Sequence, residues 1–158
     1  MYGYVADGYW CDIGDANAYA KASRDALNGK VQVLKDGFEF FNNVWISKGC
    51  EVEEGAILKP KCIIGHNCRI SKDAEIDMDT IIGNNVTISA GCSLKSAIIW
   101  DNCIIGENVE LRGNIVCDRT RIDRGARAFE GSIIGYGSHV KENATIHQNI
   151  KIWPGKII

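Results

Sequence analysis

The sequence predicts an all-β fold, a left-handed parallel β-helix of about six coils built from hexapeptide repeats over residues 46–158, and three observations carry this. An aliphatic residue recurs at every sixth position, a small residue stands two places before it, and Gly, Asn or Asp usually follows three places after it. A period of six fits neither an amphipathic helix nor a hairpin meander.

The aliphatic series runs Ile46, Val52, Leu58, Ile64, Ile70, Ile76, Ile82, Ile88 and Leu94. It resumes one residue early at Ile99, Ile105 and Leu111, and one early again at Val116, Ile122, Ala128, Ile134, Val140, Ile146 and Ile152. Ala128 alone among these is not Ile, Leu or Val. The small position holds residues such as Cys50, Ala56, Cys62, Cys68, Ala74, Thr80 and Cys92. Side chains alternate along a strand, so residues two apart face the same way, and both belong to the interior. Gly, Asn and Asp tolerate the positive φ of a tight corner, and they fill all but Lys61, Ala97 and Arg119 of the third places. Three short strands and three corners close one triangular coil, and coils stack at about 4.8 Å by strand hydrogen bonding.

Composition agrees with a chain of one domain, or of one domain plus an appendage. Hydrophobic residues make up 46% and charged residues 24%, and the net charge is −2. That balance favours neither nucleic acid nor an anionic membrane as a partner. No apolar run approaches the roughly 20 residues that span a bilayer, and the first residues lack the basic start and apolar stretch of a secretory leader. Seven cysteines without paired ligand spacing point to reduced thiols and a cytoplasmic protein. Five of them, Cys50, Cys62, Cys68, Cys92 and Cys103, sit at the small inward position, where a thiol acts as a compact hydrophobe.

Aligning the coils by their first aliphatic residue singles out one wall. Trp45, Ile63, Ile81, Ile98, Ile115, Ile133 and Lys151 precede that residue and point outward; Ser47, Gly65, Gly83, Trp100, Cys117, Gly135 and Trp153 follow it. The equivalent outward sites on the other two walls are mostly charged. An apolar stripe of this length marks a covered surface. The expected interface is therefore Trp45, Ile63, Ile81, Ile98, Trp100, Ile115, Ile133 and Trp153, covered by the N-terminal segment, by another subunit in a homo-oligomer, or by both.

Residues 1–45 differ in kind and form a separate segment with a linker. Asp15 is an N-cap, Ala16 to Leu27 is rich in helix formers, and Asn28-Gly29 ends the helix, at about residues 15–28. A helix of this length spans roughly 20 Å, enough to lie along much of the isoleucine stripe. Tyr2 to Val5 and Gly8 to Asp12 read as short strands. Two such strands make no stable sheet alone, so the chain is expected to be a piece of something larger.

The stretch Gly8-Tyr9-Trp10-Cys11-Asp12-Ile13-Gly14-Asp15, followed by a helix and hexapeptide repeats, resembles the end of the catalytic domain and the C-terminal β-helix of sugar-1-phosphate nucleotidyltransferases. The resemblance is to bacterial mannose-1-phosphate guanylyltransferase-like proteins. Ser96-Ala97-Ile98-Ile99-Trp100-Asp101-Asn102, Glu110-Leu111-Arg112-Gly113, Ala128-Phe129-Glu130-Gly131 and Lys151-Ile152-Trp153-Pro154 resemble members that continue into a phosphomannomutase-like domain. The resemblance implies nucleotide-sugar biosynthesis: a sugar 1-phosphate attacks the α-phosphate of a nucleoside triphosphate and releases pyrophosphate, with Mg²⁺ shielding charge. It also implies that Asp12 contributes to the metal site. The family's Gly-rich nucleotide loop and its partner metal aspartate have no counterpart in these residues. The resemblance therefore implies a catalytically silent chain that oligomerises, braces or regulates a nucleotidyltransferase domain.

Two other classes stay open. Hexapeptide prisms also serve acyltransferases, which use a histidine base, and His66 is the candidate here. A free-standing scaffold is the third. A zinc site would need His66, His139 and His147 to converge within about 2.1 Å of one metal, and the repeat separates them. Arg119, Arg121, Arg124 and Arg127, close to Arg112, form a candidate anion patch, with Asp118, Asp123 and Glu130 interspersed.

Overall fold

Side-chain alternation and positive-φ corners wind the chain into the prism that the repeat predicts. The computed structural model describes residues 3–5, 7–33 and 37–158. The chain folds as two compact units, Met1–Leu34 and Lys35–Ile158.

The second unit is a left-handed parallel β-helix with three walls of hydrogen-bonded strands. Wall one has eight strands, from Phe38–Phe41 (β1) and Val44–Ile46 (β2) to Lys151–Ile152. Wall two has six, from Glu51–Val52 to His139–Val140, and wall three six, from Ile57–Leu58 to Thr145–Ile146. Each coil hydrogen-bonds to the next along its length, as in Ser47 N–H to Ile64 O at 2.9 Å and Glu51 N–H to Cys68 O at 2.8 Å. The repeating aliphatics Ile64, Ile70, Ile76, Ile82, Ile88, Leu94, Ile99, Ile105 and Leu111 are fully buried. Burying each contributes roughly 1.5–3 kcal/mol before chain entropy is subtracted. Val52 is 40% exposed because no earlier coil covers it on wall two.

Corners use the residues that reach positive φ. Asn67, Asn85 and Asn102 take φ of 53°, 55° and 57° and join edge to edge. Asn67 Nδ2 donates to Asn85 Oδ1 at 3.4 Å, and Asn85 Nδ2 to Asn102 Oδ1 at 3.3 Å. Lys61 and Arg119 adopt the same backbone at φ 63° and 55°. Two corners differ from the count of third places. The one-residue deletions both fall between wall three and wall one, and there Ser96 and Gly113 take φ 51° and 56°. Ala97 and Asn114 instead fill the small inward position and are buried.

The segment before residue 46 also departs from expectation. Residues 38–41 form a strand, not a connector: β1 pairs antiparallel with β2 and closes the first end of wall one. Asn42 and Asn43, at φ 39° and 62°, make the two-residue turn that suits a hairpin. Gly37 enters this strand at φ 115°, and a Cβ there would collide with the Ile46 carbonyl oxygen.

In the first unit, α1 spans Ala16–Leu27. Asp15 Oδ1 caps it by accepting from Ala18 N–H at 2.8 Å, and Asn28 Nδ2 donates to Arg24 O at 2.8 Å. The expected strands are absent from 3–5 and 8–12, for want of the partners that short strands require; Tyr2 and Ala6 lie outside the described residues. Side chains, not a ladder, fix this segment. Asp25, buried on α1, accepts from Tyr9 Oη at 2.9 Å, Lys30 Nζ at 2.7 Å and Lys21 Nζ at 3.3 Å.

Candidate interaction wall and the ionisable groups around it

Strand pairing places the outward residues of wall one in a single column. Trp45 pairs with Ile63, Ile63 with Ile81, Ile81 with Ile98, Ile98 with Ile115, Ile115 with Ile133, and Ile133 with Lys151. Alternation with the buried aliphatics turns all of them away from the core. Ile98 and Ile115 are 4% and 8% exposed, and Trp45, Ile63, Ile81 and Ile133 are half-buried. The neighbouring column ends on Trp153, 76% exposed, while Trp100 is the other large aromatic in it. Ile133, Gly135, Ile152, Trp153 and Pro154 line a shallow groove of about 240 Å³ at that end, with Lys151 at its rim.

Walls two and three are mostly ionic, with Ile104 on wall two and Ile57 on wall three as exposed aliphatic exceptions. On wall three Lys59 pairs with Glu75 and Asp77, and Glu110 with Arg112 and Arg127. On wall two Glu53 pairs with Arg69 at 3.1 Å. Exposed pairs of this kind contribute little each, so these walls read as solvated.

The four arginines of the candidate anion patch are not brought together. They are dealt around one coil, because consecutive hexapeptides turn onto different walls. Arg119 lies at a corner, its guanidinium 5.8 Å from the Tyr136 ring centre. Arg121, on wall two, donates from Nε to Asp123 Oδ1 at 2.7 Å. Arg124 lies beside the next corner, and Arg127, on wall three, has Nε 3.8 Å from Glu110 Oε2.

One pair escaped sequence reasoning. His139 Nε2 lies 2.6 Å from Asp123 Oδ2 on wall two, and the Arg121 guanidinium, with His139 second, holds the Asp123 carboxyl below its ordinary range. The signal was present: a separation of 16 is one 18-residue coil less two, the spacing of diagonal outward neighbours on one wall. A carboxylate at this distance fixes the imidazole's orientation, as a general base requires. His66 sits at a wall-one corner, where its backbone N–H donates to Asn84 Oδ1 at 2.8 Å. His139 and His147 belong to different walls, and no group of three His, Cys, Asp or Glu side chains among the described residues is placed to hold a metal. Asp12, in the first unit, is exposed. No helix among the described residues is long and apolar enough to cross a membrane.

A prism of stacked hexapeptides with an apolar wall and two ionic ones defines a hexapeptide-repeat left-handed β-helix protein. Residues 40–151 match the model of the EIF2B subunit epsilon LbH domain, and the chain belongs to that family. No curated protein matches the chain by sequence. Among solved structures, the N-acyltransferase AntD from Bacillus cereus is similar at a TM-score of 0.66 and 14% identity, over 76% of this chain and 84% of that one. GDP-perosamine N-acetyl transferase from Caulobacter crescentus is similar at a TM-score of 0.52 and 20% identity, over 89% of this chain and 60% of that one. At these identities the likeness concerns the fold.

Proposed function

We propose that this chain is the C-terminal oligomerisation and regulatory β-helix of a cytoplasmic sugar-1-phosphate nucleotidyltransferase of the mannose-1-phosphate guanylyltransferase type. The observation that carries the reading is the order of parts. Gly8-Tyr9-Trp10-Cys11-Asp12-Ile13-Gly14-Asp15 is followed by the capped helix α1 and then by a prism with one apolar wall. Family membership supports the β-helix part of it, since this repeat domain is found in nucleotidyltransferase-like proteins. Asp12 is the single residue of these 158 assigned to the Mg²⁺ site, and one exposed carboxylate does not hold Mg²⁺. The chemistry therefore belongs to a catalytic domain that meets the prism, and the apolar wall is the surface proposed for that domain or for a second copy.

The test reads the coding sequence upstream of Met1 and assays its whole product for pyrophosphate release from GTP and mannose 1-phosphate with Mg²⁺. A Gly-rich nucleotide loop and a second metal aspartate are expected upstream, with turnover that the 158-residue chain alone lacks. A stop codon directly before Met1, with no release of pyrophosphate, would overturn the proposal. Acyl transfer is the second reading, and the oriented His139–Asp123 pair is the observation that favours it. It requires acyl-CoA turnover that His139→Ala abolishes.

A further inference from the structure

The interior thiols are not equivalent. Strand pairing of Glu51 with Arg69 places Cys50 directly over Cys68, one coil apart on the inner side of wall two. Their thiols donate to Gly65 O at 2.9 Å and Gly83 O at 3.0 Å. Cys68 is 1% exposed, whereas Cys50, in the first coil, is half-buried. Residues paired across parallel strands lie about 4.8 Å apart, inside the roughly 4.4–6.8 Å that a disulfide bridges between α-carbons. Among the described residues, the other interior cysteines have no such neighbour. Cys62 stacks between Val44 and Thr80, Cys92 between Ala74 and Val109, and Cys103 between Val86 and Thr120.

We propose that Cys50 and Cys68 are an oxidation site, at which a two-electron oxidant of the peroxide class forms a disulfide that staples the first coil to the second. The Cys50 thiolate attacks one peroxide oxygen, breaks the O–O bond and becomes a sulfenic acid while hydroxide leaves. The Cys68 thiolate then attacks the Cys50 sulfur and expels its oxygen as a second hydroxide. The two thiol protons and the two hydroxides leave as two molecules of water, and both electrons lost by sulfur reside on the peroxide oxygens. Burial pushes the Cys68 thiol up to about 11, so the second step is the slower one and quickens with rising pH. Cys62, Cys92 and Cys103 are equally buried and have no cysteine stacked on them, so a sulfenic acid formed at Cys50 reaches none of them first. The bridge closes an 18-residue loop in the unfolded chain, so oxidation raises the melting temperature.

The experiment treats the chain with hydrogen peroxide, alkylates the remaining thiols in denaturant and maps the peptides. A Cys50–Cys68 cross-linked peptide, lighter by two hydrogens, is expected, with Cys62, Cys92 and Cys103 alkylated and a melting temperature several degrees higher. Cys50→Ser and Cys68→Ala should each remove the cross-link and the thermal shift. Cys50→Ser, at a half-buried site, keeps the test interpretable if Cys68→Ala does not fold. Cys50 recovered as a sulfinic acid with Cys68 still alkylated would overturn the proposal. So would a cross-link to another cysteine, or no reaction at all.

Discussion

Asn114 is the residue at which the interior departs furthest from an aliphatic stack. It occupies the small position of wall one, buried, and its Nδ2 donates to Ala128 O at 3.0 Å, while Oδ1 has no partner. Ala128, on wall three, is the one small residue in a column of Ile and Leu, so the longer amide lies where a branched side chain would otherwise fill. An orphaned buried acceptor costs about 1–3 kcal/mol, and each restored methylene returns about 0.8 kcal/mol. The double variant Asn114→Ala with Ala128→Val is therefore expected to be more stable by about 1 kcal/mol in urea unfolding. Ala128→Val alone should destabilise, since it collides with the amide that stays. Asp25 makes a pH prediction. Its partners, Lys30 first and Tyr9 second, hold its carboxyl down at about 2, and burial pushes the Tyr9 hydroxyl above its ordinary range. A depressed carboxylate stabilises the fold fully above its unfolded value near 3.9, and that contribution fades as pH falls toward 2. Helical ellipticity followed from pH 5 to pH 2 should show this loss in the wild type and a flatter profile in Asp25→Asn.

At the scale of elements, the corners carry the sharpest expectation. Arg119 continues the column of Asn67, Asn85 and Asn102 in a left-handed conformation that costs a residue other than Gly, Asn or Asp about 1–2 kcal/mol. Arg119→Asn relieves that cost and extends the amide ladder, while it gives up about 0.5–1 kcal/mol of contact with Tyr136. A rise in melting temperature of a degree or more is expected, and a fall would show that Tyr136 contributes more than the corner. The elements themselves were unequally legible. A period of six is unambiguous when eighteen coil sites are Ile, Leu or Val, and it placed every wall. The corners at Ser96 and Gly113 were displaced because a deletion shortens the corner itself, and counting from the preceding aliphatic overshoots by one. β1 was read as linker because Phe38, Phe40 and Phe41 are all exposed, so no alternation marks an edge strand. The Asn42-Asn43 turn was its available sign. The His139–Asp123 pair emerges only when coils are superposed diagonally, because the two residues belong to different outward columns of wall two.

At the scale of the whole molecule, the three walls of the prism differ in what they can meet. Two present ion pairs to water, and the third carries Trp45, five isoleucines, of which Ile98 and Ile115 are already buried within the chain, and an exposed Trp153 in two adjacent columns. Salt should therefore change its stability little, because exposed pairs contribute weakly, whereas a charge set into the isoleucine column should change what the chain associates with. Ile81 is half-buried and Ile115 is 8% exposed, and neither belongs to the inward stack of Ile82, Ile99 and Val116, so lysine at both sets charge into the outer column without entering that stack. The most direct measurement is sedimentation velocity on the wild type and on the Ile81→Lys, Ile115→Lys double variant, with circular dichroism to show that the β-helix persists. An assembly is predicted in the wild type, falling to the 17.4 kDa monomer in the variant at unchanged β content. An unchanged sedimentation coefficient and melting temperature in the variant would contradict a covered apolar wall.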